Sequence, residues 1–240
     1  MGSTVGAIAS GGASLIPGVG SALEDVTGVD FRSSPFKVKV VNDEHLAKSV
    51  IIATGAETNW LGLTNEQKLI GRGISSCAPC DAFFFRGKKV IVVGGGDSAM
   101  EEALFLTKFA TDVMIIHRRD EFRASKIMQD RAKANPKISF LLNSIVVDVM
   151  GDEKVIGVKI KNVKDNKEQE LPIDGIFVAI GHSPMTNVFS GQVDLDEKGY
   201  VVRKSAHPRG GIEATPGLHP GGEGVRSYQT MTSVEGVFVA

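Results

Sequence analysis

A triple glycine that follows an apolar run most strongly constrains how this 240-residue chain can fold. Residues 88–93 predict a buried strand, Gly94 to Gly96 predict a tight turn, and apolar residues at helical spacing follow from Ala99. A second strand, a second helix and a third strand are then predicted at residues 113–116, 124–134 and 138–142. This β-α-β-α-β order is the usual sign of a parallel sheet, so the sequence predicts an α/β, Rossmann-like domain.

The segment from Gly94 to Ala99 also predicts a phosphate-binding turn. Gly94 permits the tight turn, Gly96 lets the backbone approach a pyrophosphate, and the small Ala99 allows the helix to pack closely on the strand. A helix that begins near Asp97 would direct its free N–H groups and its positive dipole end at the phosphates. The alternative is an ordinary strand-to-helix turn, but the flanking strands and helix favour nucleotide binding.

The residues after the second predicted strand indicate which nucleotide is bound. A site for NAD would place Asp or Glu there to hold the ribose 2′-hydroxyl. This chain instead has His117, Arg118 and Arg119, with Arg123 one helical turn further on. Guanidinium groups suit a dianionic 2′-phosphate, so the cluster predicts NADPH, and the alternative is a solvated basic turn. For His117, a phosphate contact and a structural role are both open.

Two cysteines, Cys77 and Cys80, form a CxxC pair shortly before the glycine turn. Such a pair predicts a redox dithiol or half of a zinc site, and two buried unreactive thiols are a further alternative. Structural zinc would need more soft ligands, and the chain has no third cysteine and only scattered histidines, so we expect no metal. Asp81 could shuttle the proton that thiol–disulfide exchange takes up or releases.

Bulk composition limits the classes of function. A formal net charge of −1 gives no electrostatic reason to expect nucleic acid, and 42% hydrophobic with 23% charged residues is ordinary for a globular protein. Two cysteines are too few for a secreted disulfide scaffold, and the sequence has neither a signal-peptide-like start nor an apolar run of membrane-spanning length. We therefore expect a cytoplasmic protein without membrane or nucleic-acid partners.

Outside the predicted parallel sheet, the sequence patterns are less regular. Residues 1–23 are rich in Gly, Ser and Ala, and no β-branched strand leads into Gly18-Val19-Gly20, so they predict a flexible leader rather than a phosphate loop. The remaining predictions are strands at 25–31, 36–41, 48–53, 175–181 and 232–240, a turn at 42–44, a loop over 56–76, and a β-hairpin or meander formed by 145–150 and 155–162.

Four segments in this order resemble those of the low-molecular-weight thioredoxin reductases, and the likeness extends from about residue 24 to residue 202. They are Cys77-Ala78-Pro79-Cys80-Asp81, Gly94-Gly95-Gly96-Asp97-Ser98-Ala99, His117-Arg118-Arg119-Asp120-Glu121-Phe122-Arg123-Ala124 and Val178-Ala179-Ile180-Gly181-His182-Ser183-Pro184. Thr54-Gly55 also resembles the family's strand end beside the flavin.

This resemblance implies that NADPH reduces FAD, that FAD reduces a disulfide, and that the resulting dithiol reduces a thioredoxin-like protein disulfide. It implies that Cys77 and Cys80 are the redox pair, that Asp81 is the proton donor, and that the protein is a homodimer. The implied cofactor-binding residues are Gly94, Gly95, Gly96, Asp97, Ser98 and Ala99 for the pyrophosphate, Arg118, Arg119 and Arg123 for the 2′-phosphate, and His117, Ile180, Gly181, Thr54 and Gly55.

The resemblance is incomplete at the flavin-binding segments. The family begins with a strand, a GxGxxG turn and a helix, and residues 1–23 show no equivalent. We therefore expect a reductase truncated at both FAD-binding ends, and the alternatives are an NADPH-binding module without turnover or a related flavin-dependent disulfide reductase with another partner. The predicted division is a flexible leader at 1–23, a partial FAD-type domain at 24–58, the NADPH-binding domain with the CxxC pair at 59–186, and a second FAD-type part at 187–240 with an irregular insertion at 204–230.

Overall fold

The chain forms two compact units, and one of them interrupts the other in sequence. The inserted unit comprises residues 58–182, and the flanking unit comprises residues 1–57 and 183–240. The computed structural model describes residues 5–9, 14–15, 25–203 and 229–240, the first two of these segments as backbone only. None of the helices in these described segments is long and apolar enough to cross a membrane.

The elements are numbered in chain order. The flanking unit begins with β1 (Val5–Ala9), β2 (Ser14–Leu15), β3 (Val26–Asp30), β4 (Phe36–Val40), β5 (Asp43–Ala47), β6 (Ser49–Ala53) and β7 (Ala56–Thr58). The inserted unit contains α1 (Glu66–Leu69), β8 (Ile74–Ser75), α2 (Ala78–Asp81), β9 (Lys89–Gly94), α3 (Asp97–Leu106), β10 (Asp112–Ile116), α4 (Lys126–Lys133), β11 (Ile138–Leu141), β12 (Ser144–Met150), β13 (Gly157–Asn162), β14 (Glu168–Leu171) and β15 (Gly175–Ala179). Then follow β16 (His182–Pro184) and β17 (Val237–Val239), and short 3₁₀ helices occur at Ala82–Phe85 and Asn187–Phe189.

A five-stranded parallel sheet forms the centre of the inserted unit, with the strand order β11-β10-β9-β15-β8. Val90 and Val92 of β9 pack with α3 and α4 on one face, whereas Ile91 and Val93 pack on the other face. Because both faces are covered, β9 is continuously apolar from Val90 to Val93 instead of alternating. The Rossmann-like parallel sheet that the sequence predicts is confirmed.

An antiparallel meander of β12, β13 and β14 contributes the second covering layer of this sheet. Val149, Val158 and Ile160 are buried in one apolar cluster with Ile91 and Ile176 of the parallel sheet. The predicted hairpin or meander is therefore present, and it leaves the carboxyl ends of β9, β10 and β15 uncovered at one edge of the parallel sheet.

The chain enters and leaves the inserted unit at neighbouring points. The backbone N–H of Asn59 donates a hydrogen bond of 3.0 Å to the carbonyl oxygen of Gly181. Gly181 has φ +106°, a left-handed backbone conformation that favours glycine. The second residue of the unit and its last residue but one are thus joined by a backbone hydrogen bond.

The flanking unit combines two sheets, an antiparallel β3-β4-β5 sheet and a second sheet with the order β17-β6-β1-β2. β4 alternates buried and exposed residues, as the sequence predicts for a half-buried strand. In the second sheet, β6 has a parallel partner on each side, namely β1 and β17. Phe31, Phe36 and Phe189 lie in the apolar cluster of this unit.

The structure differs from the sequence prediction within the first 23 residues. The sequence predicts a flexible leader there, whereas β1 runs parallel to β6 with Val5 opposite Ser49 and Ala9 opposite Ala53. The Gly- and Ala-rich composition of β1 carries no period-two signal, and its partner strand lies far along the chain, so local pattern could not reveal it. Gly18-Val19-Gly20 and most of the predicted insertion at 204–230 lie outside the described residues.

Candidate functional site

The glycine turn lies at the carboxyl end of β9, between β10 and β15. A Cβ atom added to Gly94 would collide with the carbonyl oxygen of Ala179, and one added to Gly95 would collide with the ring of His117. A Cβ atom at Gly96 would meet no atom within 4 Å. The turn is therefore tightly packed behind Gly94 and Gly95 and open at Gly96, which is the shape that close approach of a phosphate requires.

Helix α3 begins directly after this turn, with Gly96 as its N-cap. Ser98 is exposed in the first turn, and Ala99 is fully buried against β9, as close packing of helix on strand requires. The carboxylate of Asp97 accepts hydrogen bonds from the backbone N–H (2.7 Å) and the hydroxyl (2.9 Å) of Ser125, the N-cap residue of α4. Asp97, which the resemblance implies as a cofactor-binding residue, thus joins the starts of two helices.

A cavity of 380 Å³ opens beside the turn, a volume within the range of small-molecule sites. Gly94, Gly95, Arg118 and Arg123 all line it. Arg123 is held there through its backbone, because its N–H donates a 2.7 Å hydrogen bond to the carbonyl oxygen of Gly95. Arg119 is exposed and does not line the cavity. Two of the three arginines that the resemblance assigns to the 2′-phosphate therefore face the same cavity as the glycine turn.

His117 packs underneath the glycine turn. Its side chain is 6% exposed, its ring stacks on Phe122 with ring centroids 5.4 Å apart, and its Nε2 lies 3.1 Å from the carbonyl oxygen of Glu121, to which it donates. Burial lowers the pKa of His117, and the charges of Arg123 and Arg119 lower it further. The imidazole is therefore neutral at neutral pH, so packing against Gly95 explains its position better than charge pairing with a phosphate does.

The sequence did not reveal several walls of this cavity, because they lie on segments without a motif. Trp60 and Leu61 come from the segment after β7, and Ser144 and Ile145 come from the start of β12. Ile180, a residue that the resemblance does imply, lines the cavity at the end of β15. Apolar walls around a basic, glycine-lined end are suited to a ligand that carries both a planar ring and phosphates.

A buried carboxylate fixes the wall that contains Trp60. Glu66 is 1% exposed, and its two carboxylate oxygens accept hydrogen bonds from the backbone N–H groups of Leu61 (2.8 Å), Gly62 (2.7 Å) and Leu63 (3.3 Å). Three N–H donors offset the cost of burying this charged group. These three hydrogen bonds, formed between residues that are close in sequence, therefore fix the backbone of the segment that follows Trp60.

Cys77 and Cys80 form a disulfide with their Cα atoms 5.3 Å apart. Cys77 is the N-cap of the short helix α2 and is partly buried, whereas Cys80 is exposed. Asp81, the predicted proton donor, is partly buried directly after Cys80. The sequence-predicted redox pair is thus joined covalently, and one of its sulfur-bearing residues is accessible from outside.

Two large apolar side chains are exposed immediately after the disulfide. Phe83 and Phe84 are 64% and 69% exposed, and they lie on the 3₁₀ helix that follows α2. The guanidinium carbon of Arg86 lies 5.3 Å from the centroid of the Phe83 ring. Adjacent exposed aromatic side chains are unusual on a surface that contacts only water.

Thr54 and Gly55, the residues that the resemblance implies beside the flavin, belong to the flanking unit. Thr54 is buried and lines a cavity of 430 Å³, and Gly55 (φ +65°) accepts a 3.1 Å hydrogen bond from the N–H of Met185. The lining of this cavity includes the carboxylates of Asp25 and Glu57 and no lysine or arginine. These described residues do not supply the positive charge that a dinucleotide diphosphate needs, so by themselves they do not fit that part of FAD.

Within the described ranges, no cluster of three or more His, Cys, Asp or Glu side chains could hold a metal ion.

Comparison with known proteins gives consistent matches. Residues 12–208 match the family model described as pyridine nucleotide-disulphide oxidoreductase. The chain is 48% identical over 219 residues to the thioredoxin reductase of Mycolicibacterium smegmatis, covering 91% of this chain and 63% of that protein. It is 45% identical over 219 residues to the bifunctional thioredoxin reductase/thioredoxin of Mycobacterium leprae, covering 90% of this chain and 43% of that protein.

A solved structure gives the same result. The thioredoxin reductase from Giardia duodenalis matches with a TM-score of 0.71 and 39% identity, covering 91% of this chain and 65% of that one. The chain therefore spans less than two thirds of the length of the relatives it matches.

Proposed function

The chain belongs to the pyridine nucleotide-disulphide oxidoreductase family, and from this premise we propose that it takes part in an NADPH-dependent thioredoxin-disulfide reductase reaction. The observation that carries the proposal is that one compact unit holds both the cavity lined by Gly94, Gly95, Arg118 and Arg123 and the Cys77–Cys80 disulfide. In this proposal electrons pass from NADPH through a flavin to the disulfide, and then to a disulfide of another protein.

NADPH is the proposed ligand of the cavity beside the glycine turn. Gly96 leaves room for the pyrophosphate, and the N-terminus of α3 directs N–H groups toward it. Arg118 and Arg123 line the cavity, and their guanidinium groups are proposed to bind the 2′-phosphate that distinguishes NADPH from NADH. Arg119 is proposed as a more peripheral contributor because it lies outside the cavity wall.

FAD is the proposed second cofactor, and its binding by this chain is a prediction. A bound flavin accepts hydride from nicotinamide and relays the electron pair to a disulfide, chemistry that side chains do not supply. Thr54 and Gly55 are the described residues proposed to lie next to it. Among the described residues that line the cavity at Thr54, none is a lysine or arginine, and this observation favours the alternative that the chain binds NADPH without turnover.

We propose the order of the thiol–disulfide steps from the exposure of the two cysteines. Two electrons and two protons convert the Cys77–Cys80 disulfide into two thiols. The thiolate of the exposed Cys80 then attacks a sulfur of the partner disulfide, which forms a mixed disulfide and displaces a partner thiolate. The thiolate of Cys77 attacks the Cys80 sulfur, which restores the internal disulfide and releases the partner as a dithiol. Asp81 is proposed to carry the protons between these sulfurs and solvent.

A thioredoxin-like protein is the proposed partner. Phe83 and Phe84 form an exposed apolar surface next to the disulfide, which suits a protein better than a small hydrophilic thiol. One relative is named as a bifunctional thioredoxin reductase/thioredoxin. A homodimer and a cytoplasmic location remain expectations from the family resemblance and the cysteine content.

The deciding experiment is a spectrum and an assay of the purified chain. If the proposal is right, the protein binds FAD, absorbs near ~450 nm and oxidises NADPH only when thioredoxin disulfide is present. A colourless protein that binds NADPH saturably but does not turn over would instead establish the binding module. Activity with other disulfides but not with thioredoxin would identify a reductase with a different partner.

A further inference from the structure

Only one backbone N–H group lies between the two cysteines of the disulfide turn, and it donates to a residue outside the turn. Pro79 has no N–H, so Ala78 carries the only backbone N–H of the two residues between Cys77 and Cys80. That N–H donates a short hydrogen bond to the Oε2 atom of Glu102. The carboxylate of Glu102 therefore contacts the peptide next to the redox-active sulfur of Cys77.

Other N–H groups of the turn are satisfied locally. The N–H of Cys77 donates to the Ser75 hydroxyl at 3.1 Å, and those of Cys80 and Asp81 donate to the carbonyl oxygen of Cys77 at 3.2 and 3.1 Å. Glu102 lies on α3, which packs against α2. Among the described residues, the Ala78–Glu102 bond thus joins the turn to the helix that begins at the glycine turn.

Glu102 brings negative charge as well as a hydrogen-bond acceptor. Its side chain is partly buried, and burial raises its pKa, while the hydrogen bond from Ala78 lowers it and the neighbouring Glu101 raises it. The Glu102 carboxylate is hydrogen-bonded to the peptide that joins Cys77 to Ala78, and when ionised it disfavours a thiolate on the adjacent cysteine, because the two negative charges repel each other. Its charge therefore favours the oxidised form of the pair over a reduced form that carries a thiolate.

We propose that Glu102 is a positioning residue that holds the disulfide turn through Ala78 and makes the Cys77–Cys80 couple more reducing. The inference rests on the proposed function only in taking this disulfide to be reversibly reduced. Neither nucleotide nor flavin is needed for the effect, because the carboxylate acts on the cysteine pair itself.

Equilibration of the full-length chain with dithiothreitol redox buffers tests this role. Two electrons from dithiothreitol break the S–S bond, each sulfur takes up a proton or remains a thiolate, and dithiothreitol closes to its cyclic disulfide. Alkylation of the free thiols at about pH 8, where thiolates are populated, measures the dithiol fraction. Glu102→Gln keeps an acceptor for the Ala78 N–H and removes the charge. We expect it to shift the equilibrium about tenfold toward the dithiol, or about 30 mV for a two-electron couple.

Two matched variants separate this effect from a general loss of charge or structure. Glu101→Gln removes a neighbouring exposed carboxylate from the same helix, and Glu102→Asp keeps the charge. Both should stay within about threefold of the wild-type equilibrium constant. A Glu102→Gln equilibrium equal to wild type, or an equal shift in Glu101→Gln, overturns the role of Glu102. A disulfide that no variant allows to be reduced overturns the proposed function, and this inference with it.

Discussion

At the scale of single residues, Arg118 and Arg123 are set apart from Arg119 by their position in the cavity wall. We predict that Arg118→Ala and Arg123→Ala each weaken NADPH binding roughly 10- to 100-fold, because a charge-assisted hydrogen bond contributes about 1.5–3 kcal/mol. Arg119→Ala should have a smaller effect. Trp60 is the only tryptophan of the chain and lines the same cavity, so a titration of its fluorescence measures binding directly.

NADH and a distant arginine provide the controls for this prediction. NADH lacks the 2′-phosphate, so its affinity should be unchanged in both variants. Arg131→Ala removes an exposed arginine from α4 that does not line the cavity, and it should bind NADPH like wild type. Equal losses for NADH and NADPH would contradict the assignment of these side chains to the 2′-phosphate.

His117 makes a prediction about stability and pH. Burial lowers its pKa in the folded chain, so the unfolded chain binds the proton more readily, and its ordinary pKa is about 6.5. The contribution of the neutral ring to stability is therefore fully present above about pH 6.5 and is lost as the pH falls through the folded-state pKa. Urea unfolding should show wild type losing more stability than His117→Gln between about pH 7.5 and about pH 5.5.

An exposed histidine is the control for that measurement. His182→Gln removes an exposed histidine and keeps His117, so this variant should lose as much stability as wild type over the same pH interval. Identical pH dependence in wild type and His117→Gln would show that the buried ring does not titrate with unfolding.

At the scale of elements, the turn between β9 and α3 contains two glycines that differ in the space available for a side chain. Gly95→Ala would push a methyl group into the His117 ring, so we predict destabilisation of roughly 1–3 kcal/mol in urea unfolding. At Gly96→Ala the added methyl group meets no atom within 4 Å, so stability should be close to wild type. That methyl group would occupy the space left for a phosphate, and NADPH binding should fall at least tenfold by Trp60 fluorescence.

The two variants control each other. A stable Gly95→Ala protein would mean that the ring of His117 moves aside at little cost. A Gly96→Ala protein with normal affinity would mean that the pyrophosphate does not approach the backbone at this position.

The elements that the sequence could predict are those with a strong local period. β9, α3, β10 and β11 were predicted within a few residues, because apolar residues recur at strand or helix spacing. β8 could not be predicted, because its two residues, Ile74–Ser75, carry no period and their place in the sheet comes from pairing with β15. These two strands are distant in sequence, so their pairing is a property of the tertiary fold.

The predicted turn at 42–44 shows a second limit. Asp43 instead begins β5, and the turn is made by Val41 and Asn42, with Val41 at φ +52°. A β-branched residue in a left-handed conformation is strained, so sequence propensity argues against a turn there. Pairing of β5 with β4 outweighs that preference.

The candidate site could be predicted to a similar extent. The glycines, the arginines and the cysteine pair stand out because their chemistry is tied to short motifs. Trp60 and Ser144 have no motif, and their place at the cavity follows from how loops return to the sheet edge. The same holds for Glu66, which binds the backbone of the segment after Trp60. His117 shows that a residue inside a motif can have a packing role that only its surroundings reveal.

At the scale of the whole molecule, the apolar core is divided as the units are. Two of the three apolar clusters formed by described residues lie entirely within the inserted unit, and the third lies within the flanking unit. We therefore predict that a fragment of residues 58–182 folds alone and binds NADPH within about threefold of the full chain, since each core folds with its own unit. Circular dichroism and Trp60 fluorescence of the fragment measure both properties.

The full chain serves as the reference for the fragment. Cooperative thermal unfolding together with nucleotide-induced quenching of Trp60 would support independence of the inserted unit. An unfolded fragment would mean that the inserted unit needs the flanking unit for its stability, although its apolar clusters consist of its own residues.

The hydrogen bond between Asn59 and Gly181 has a consequence for how such a chain can be assembled from parts. A long insertion normally lowers the stability of the surrounding domain, because closing a large loop costs conformational entropy. Here the N–H of Asn59 and the carbonyl oxygen of Gly181 lie 3.0 Å apart, near the two ends of the insertion. The inserted unit therefore connects the preceding and following segments of the chain much as a short loop would. We therefore expect that the inserted unit could be transferred into a tight turn of an unrelated protein with little change in the distance between the flanking strands. For the same reason, a few residues could replace it in this chain.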